Sequence, residues 1–304
     1  MKNLSQQAQG FIYAILAFSF WGLVPIYFKA LSSVSPGEVL AHRIIWSVVL
    51  LFGVILMSRQ FGALRVLTKD IHKIKYLILS SLLVSTNWLV FIWAVSNTML
   101  TEASLGYYIN PLVNFALGVI FFKERPNYAQ MIAIALALLA IVYQVITIGS
   151  LPIVSLILAF SFAFYGLVRK KVNIPSVTGL YIETLILFPL ALFYFAYLVL
   201  THTNAFTLPL DSISYLLLLA GVITVVPLLW FNSAATKISL IHIGFFQYIG
   251  PTIAFSLAIF VYDEPFGREK LITFMMIWLA LFIFSADAYR AWKKERFLPK
   301  ETQK

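Results

Sequence analysis

Apolar residues fall in ten long runs, near residues 10–30, 36–57, 74–97, 102–122, 127–147, 150–169, 177–200, 212–235, 239–262 and 269–289. Each approaches the roughly 20 residues that a helix needs to cross a bilayer. Polar positions gather in the gaps. The gaps after the third, fourth, fifth and eighth runs are only a few residues long, which joins antiparallel neighbours. Helices satisfy their own backbone groups in hydrocarbon. The pattern therefore predicts an all-α membrane protein with ten transmembrane helices, numbered 1 to 10 in chain order.

The pattern is also written twice. Ile15-Leu-Ala-Phe-Ser-Phe20 recurs as Ile157-Leu-Ala-Phe-Ser-Phe162, and each copy is followed by Gly-Leu-Val, at Gly22 and Gly166. Pro111 stands thirteen residues before Glu124, as Pro251 does before Glu264, and all these landmarks are offset by 140 to 144 residues. Residues 9–148 and 149–290 thus read as two five-helix repeats, followed by a basic tail at 291–304. An odd number of spans per repeat turns the second copy upside down. Inverted repeats with a site between the halves are a transporter architecture.

Composition sharpens this picture. Hydrophobic residues make up 61% of the 304 and charged residues 11%, with a mean hydropathy of +0.91, against the roughly 25% charged residues of a soluble domain. The absence of cysteine removes disulfides, thiolate metal sites and Cys nucleophiles. The four histidines have no metal-ligand spacing, so no metal or cofactor is expected. The first apolar run, from Phe11, reads as a span and not as a cleaved leader.

The net charge of +10 is a matter of topology. Eighteen of the 22 Lys and Arg residues lie on the side shared by the two termini, and three, Lys29, Arg268 and Lys270, on the other. That bias predicts cytoplasmic termini. The basic surface then suits anionic membrane lipid, and no nucleic-acid partner is implied. The sequence leaves the oligomeric state open, and a monomer is compatible with it.

Intramembrane polar residues are the candidates for chemistry. Arg43 lies seven residues into helix 2, and a charge there needs a partner or water. Glu38 and Glu102 are the partners expected, with Arg43 a substrate-binding residue acting as gate or anion contact; snorkelling outward is the alternative. His42 points about 100° away from it, as a packed histidine or a proton carrier. Glu183 is the repeat counterpart of Arg43 and lies near the opposite face, so no direct ion pair between them is expected. It is a proton-coupling candidate, or else a partner of Arg169-Lys170-Lys171.

Helix 4 presents Tyr107, Asn110, Pro111, Asn114 and Gly118 on one stripe. Pro111 frees the Tyr107 carbonyl and kinks the helix. Gly244, Gln247, Tyr248 and Pro251 are the counterpart in helix 9. Such stripes line broken-helix binding sites or pack helices together. Trp88 and Trp93 lie on different faces of helix 3, so one at most faces a cavity, and Trp93 is the candidate chosen. Glu124 and Glu264, each followed by a proline, read as caps.

Several stretches are specific enough to compare. Phe18-Ser-Phe-Trp-Gly22, Asn87-Trp-Leu-Val-Phe-Ile-Trp-Ala94, Glu102 to Pro111, Phe160 to Lys171 and Gly244 to Pro251 resemble the RarD-type permeases. These are a bacterial branch of the EamA family in the drug/metabolite transporter superfamily. The resemblance spans residues 9 to 290. It implies ten helices in two EamA repeats in the bacterial inner membrane, and it supplies no ligand. The family's fold sets helices 1, 6 and 8 around a central cavity, which adds Trp21, Tyr165 and Trp230 as substrate contacts, and Asn87 joins them from its motif.

The expectation is a secondary active exporter of small amphipathic metabolites or phenicol-like drugs, working by alternating access. Uptake of amino acids or related metabolites fits the same residues. A membrane enzyme using His42 and Glu183 would lack a nucleophile, and a channel would need a continuous polar lining. No Walker motif marks ATP as the driver.

Overall fold

The computed structural model describes residues 5–59, 62, 64, 70–122, 127–172, 174–235, 237–238 and 246–297. Ten helices account for nearly all the regular structure among them: α1 (Gln6–Ala30), α2 (Pro36–Ser58), α3 (Ile71–Ser96), α4 (Leu100–Phe122) and α5 (Tyr128–Ile148). α6 (Ile153–Val172), α7 (Ser176–Leu200), α8 (Ser212–Ala235), α9 (Ile249–Phe260) and α10 (Arg268–Phe297) follow. Lys2, Arg65, Lys69, Lys123, Glu124, Arg125, Pro126, Gly244 and the last tail residues, including Lys300 and Lys304, lie outside the described residues.

Local chemistry sets the helix ends. Ser35 Oγ accepts from Glu38 N at 3.2 Å with Pro36 opening α2, where a missing N–H is harmless. Asp70 Oδ1 takes the amides of His72 and Lys73 at the start of α3. Asn127 and Gln130 form a reciprocal capping box on α5. Gly149, at φ 76°, ends α5 in the left-handed region where glycine is at ease.

Eight helices are long and apolar enough to cross a membrane. α6 and α9 have shorter apolar stretches, Ile153–Arg169 and Ile249–Phe260. Of the expected helix over 239–262 the structure describes Phe246, a turn at 247–248 and α9 from Ile249 onward. Pro251 falls in the first turn of α9, where it needs no donor. Pro111, by contrast, lies inside α4. α10 continues to Phe297, past the predicted end near 289, because Ala291 and the charged residues after it are good helix formers.

α1 packs on α8 and α9, α6 on α3 and α4, α2 on α7 and α8, α3 on α7, and α5 on α10. Small residues permit close approach. A Cβ on Gly106 would lie 2.6 Å from Ser155 O across the α4–α6 seam. One on Gly221 would lie 2.6 Å from the Trp46 backbone across α2–α8, and one on Gly22 2.7 Å from Ile253 across α1–α9.

Contacts define two ends of the bundle. At the end of the chain termini, Lys237 Nζ meets Gln6 Oε1 at 3.3 Å, and Asn127 and Gln130 donate to Asp287. At the far end, Tyr27 OH donates to Leu216 O at 2.9 Å, and Lys270 pairs with Glu102 at 3.6 Å. Phe28, Leu158, Leu217 and Ile277 are buried between the helices, whereas Leu139, Phe193, Leu200 and Phe282 face outward. An outer surface this apolar belongs in lipid. The protein is a multi-pass membrane protein.

Candidate functional site

Arg43 lies seven residues into α2, roughly 10 Å along the helix at 1.5 Å per residue. Its Nε donates to Thr224 Oγ1 of α8 at 2.8 Å. Its guanidinium carbon stands 4.1 Å from the centre of the Trp88 ring and 5.7 Å from that of Phe28. Tyr27 and Tyr107 are close enough to interact with its charge. No acidic side chain pairs with it among the described residues.

The expected partners of Arg43 are engaged elsewhere. Glu38 Oε1 accepts from Ala205 N at 2.7 Å, in the connection between α7 and α8. Glu102 takes Ser155 Oγ at 2.9 Å and Lys270 at the far end. Nor does Arg43 reach the surface, being 8% exposed. An ionised Arg within a bilayer costs about 2.5 kcal/mol or more. The Trp88 face offsets about 0.5–2 kcal/mol of that, and the terminal nitrogens remain without a protein acceptor among the described residues.

The polar wall beside it is already satisfied. Asn87 Nδ2 donates to Leu158 O at 3.0 Å and to Ser161 Oγ at 3.1 Å, and its Oδ1 accepts from Tyr107 OH at 3.2 Å. Phe91 packs edge-on to Phe28 and Tyr107, and Tyr107 to Phe162. Phe162 then reaches Tyr165 at 5.9 Å. An aromatic file thus links the surroundings of Arg43 to those of Glu183.

Glu183 is fully buried on α7. Its Oε1 accepts from Ser80 Oγ at 2.6 Å and from Arg169 at 3.4 Å, and its Oε2 accepts from Tyr165 OH at 3.2 Å. Arg169 also donates to Ile174 O and lies flat against Gly179. Helices α3, α6 and α7 are thereby tied at the termini end. Among the described residues Arg43 and Glu183 share no hydrogen bond or ion pair.

The remaining candidates separate into groups. Asn110 Nδ2 donates to Ala159 O at 2.9 Å, while its Oδ1 accepts from Asn114 at 2.8 Å and Gln247 at 3.4 Å. This amide cluster joins α4, α6 and the turn before α9, yet neither Asn donates to the Tyr107 carbonyl that Pro111 frees. Tyr248 packs beside α4, α5 and α10. Trp21 packs edge-to-face with Phe18 and tilted against Phe231, and Trp230 packs edge-to-face with Phe20, in the α1–α8 seam.

His42 accepts from Trp46 Nε1 at 3.1 Å and is walled by Phe195 and Phe206. Its buried Nε2 has no partner, and it touches neither Arg43's aromatic wall nor Glu183. Trp93 is 42% exposed on α3, about 140° around the helix from Trp88. Trp88, not Trp93, is the tryptophan of α3 that meets Arg43.

Glu264 acts as a cap, but on a distant helix. Its two oxygens accept from Leu100 N at 2.6 Å and Thr101 N at 2.8 Å, at the start of α4. Sequence reasoning passed over Tyr27, Phe28, Ser80 and Thr224. Thr224 left a trace as a lone hydroxyl in the apolar run Gly221 to Leu229; the aromatic pair left none, since lipid-facing rings look the same. Among the described residues, no cluster of His, Asp or Glu could hold a metal.

The EamA-like transporter family matches residues 8–146. Protein RarD of Salmonella typhi is 47% identical over 293 residues, covering 96% of this chain and 100% of that protein. Protein RarD of Escherichia coli K12 is 48% identical over 288 residues, covering 94% and 97%. An uncharacterized transporter of Vibrio cholerae is 46% identical over 283 residues, covering 93% and 94%. A solved crystal structure shares the fold at a TM-score of 0.59 and 16% identity, covering 93% of this chain and 99% of that one. Identity at this level, over nearly the whole of both chains, places the protein in the RarD branch of the EamA-like transporter family.

Proposed function

We propose that this chain is a secondary active carrier of the bacterial inner membrane, built from two inverted repeats, residues 9–148 and 149–290, with its termini in the cytoplasm. The observation that carries this reading is the set of helix pairs. Moving each helix number five places exchanges α1–α8 with α6–α3, α1–α9 with α6–α4, and α2–α8 with α7–α3. The pairs α2–α7 and α5–α10 map onto themselves. A dyad relating the halves is what alternating access uses, with cargo held where the repeats meet.

In this reading cargo contacts Arg43, Trp88, Tyr107 and the Asn110–Gln247 amides, and one half rocks against the other. The Glu183–Arg169–Tyr165–Ser80 cluster closes the cytoplasmic end, and proton transfer at Glu183 drives the cycle toward export. The cargo is a small amphipathic metabolite or drug. A relative in Pseudomonas aeruginosa, 28% identical, is named a chloramphenicol-sensitive protein, which makes phenicols sensible members of a test library.

Reconstituted in proteoliposomes, the purified chain should carry at least one compound from a library of amino acids, aromatic metabolites and phenicols, faster with an imposed proton gradient. Absence of flux across the whole library would reject the carrier reading. Accessibility tags at residues 148 and 304 should report opposite sides of the membrane; the same side for both would reject the inverted repeat.

A further inference from the structure

Arg43 presents an unusual combination. Thr224 engages its Nε, and the guanidinium carbon sits over the Trp88 ring at 4.1 Å from its centre. What remains is the in-plane edge of two terminal nitrogens, which have no protein acceptor among the described residues. The side chain is nonetheless 8% exposed. That edge is the fork that a carboxylate meets with two parallel hydrogen bonds. The centre of the Phe28 ring lies 5.7 Å from the guanidinium carbon, Tyr27 and Tyr107 are close enough to interact with its charge, and Phe91 packs in turn on Phe28 and Tyr107, a set of rings suited to a planar organic body. The two acids expected to pair with Arg43 are occupied: Glu38 by the Ala205 amide, and Glu102 by Ser155 and Lys270. Among the described residues no free carboxylate stands beside Arg43 to pair with a substrate ammonium.

We propose that Arg43, held edge-on by Trp88 and Thr224, is the anchor of a binding site for small organic monocarboxylates with a flat apolar body. The assignment rests on the carrier reading for its purpose, and it narrows the cargo to anions over zwitterions and neutral compounds. The ligand supplies the counter-charge that the protein withholds, so the loaded and empty sites differ in net charge. Thr224 positions the guanidinium, and the fork itself makes the contact.

Binding to the purified full-length chain in detergent tests this directly, by calorimetry and thermal shift, with phenylacetate, phenylacetamide and phenylalanine as probes. The wild-type protein should bind phenylacetate about tenfold or more tightly than either of the others. R43Q should erase that preference while still binding the amide, and R43K, which keeps the charge without the fork, should retain part of it. Equal affinity for acid and amide in the wild-type protein overturns the proposal, and so does a preference that survives in R43Q. The wild-type ratio decides the matter even if a variant fails to fold.

A lipid phosphate has the same chemistry. If phosphatidylglycerol stabilises the wild-type protein but not R43Q, and phenylacetate does not displace it, the site belongs to a headgroup and the substrate assignment falls. Flux in phosphatidylcholine vesicles separates this proposal from the carrier reading. Transport of neutral compounds with no carboxylate carried refutes the anion site alone, whereas no transport of anything refutes the carrier and leaves the binding data to judge Arg43.

Discussion

Arg43 and Glu183 occupy the same position in the two halves of the sequence, 140 residues apart, and the protein treats them oppositely. Glu183 is sealed and answered, with a hydroxyl from α3, a phenol and a guanidinium from α6, and no exposed surface. Arg43 is nearly as deep, yet receives one hydroxyl and the faces of two rings. A buried ion pair broken from one side leaves a stranded charge. A buried charge that was never paired leaves nothing stranded when it is removed. Burial alone therefore does not distinguish a structural charge from one held ready for a ligand; the count of its protein partners does.

The largest expected effect comes from breaking the satisfied cluster. Glu183→Ala should destabilise the protein by about 3–5 kcal/mol, since it strands Arg169, toward the lower figure because Arg169 keeps some exposure. Thermal unfolding in detergent measures this, and adding Arg169→Met should recover much of the loss. A smaller effect, about 1–3 kcal/mol, is expected for Gly179→Ala, because the new methyl displaces the guanidinium resting on that glycine. An unfolding midpoint unchanged by this variant would mean that Arg169 contributes little to holding Glu183.

The smallest effect on stability belongs to Arg43→Met, expected within about 1 kcal/mol of wild type. The lost bond to Thr224 is offset by the relief of desolvation. A loss as large as that of Glu183→Ala would erase the contrast between the two sites and reveal a structural partner for Arg43.

Much of the architecture was legible in the chain, because hydrocarbon demands long apolar runs and few polar interruptions. Arg43 and Glu183 stood out for the same reason. Their neighbours did not, because they come from distant parts of the chain: Ser80 lies 103 positions from Glu183, and Thr224 lies 181 from Arg43. Helical spacing could tell that Trp88 and Trp93 face apart, yet only the packing of α3 against α2 decides which of them faces inward. A proline likewise reads the same in a helix middle and in a first turn, and Pro251 falls in the first turn of α9.

The capping of α4 by Glu264 has a mechanical consequence. The two amides it holds, at Leu100 and Thr101, have no partner inside their own helix. Pulling the 261–267 connection away from α4 would bare both N–H groups and a carboxylate at once. The capping therefore fastens the first half of the chain to the second, and a rocking of the halves against each other would have to break this joint or turn about it.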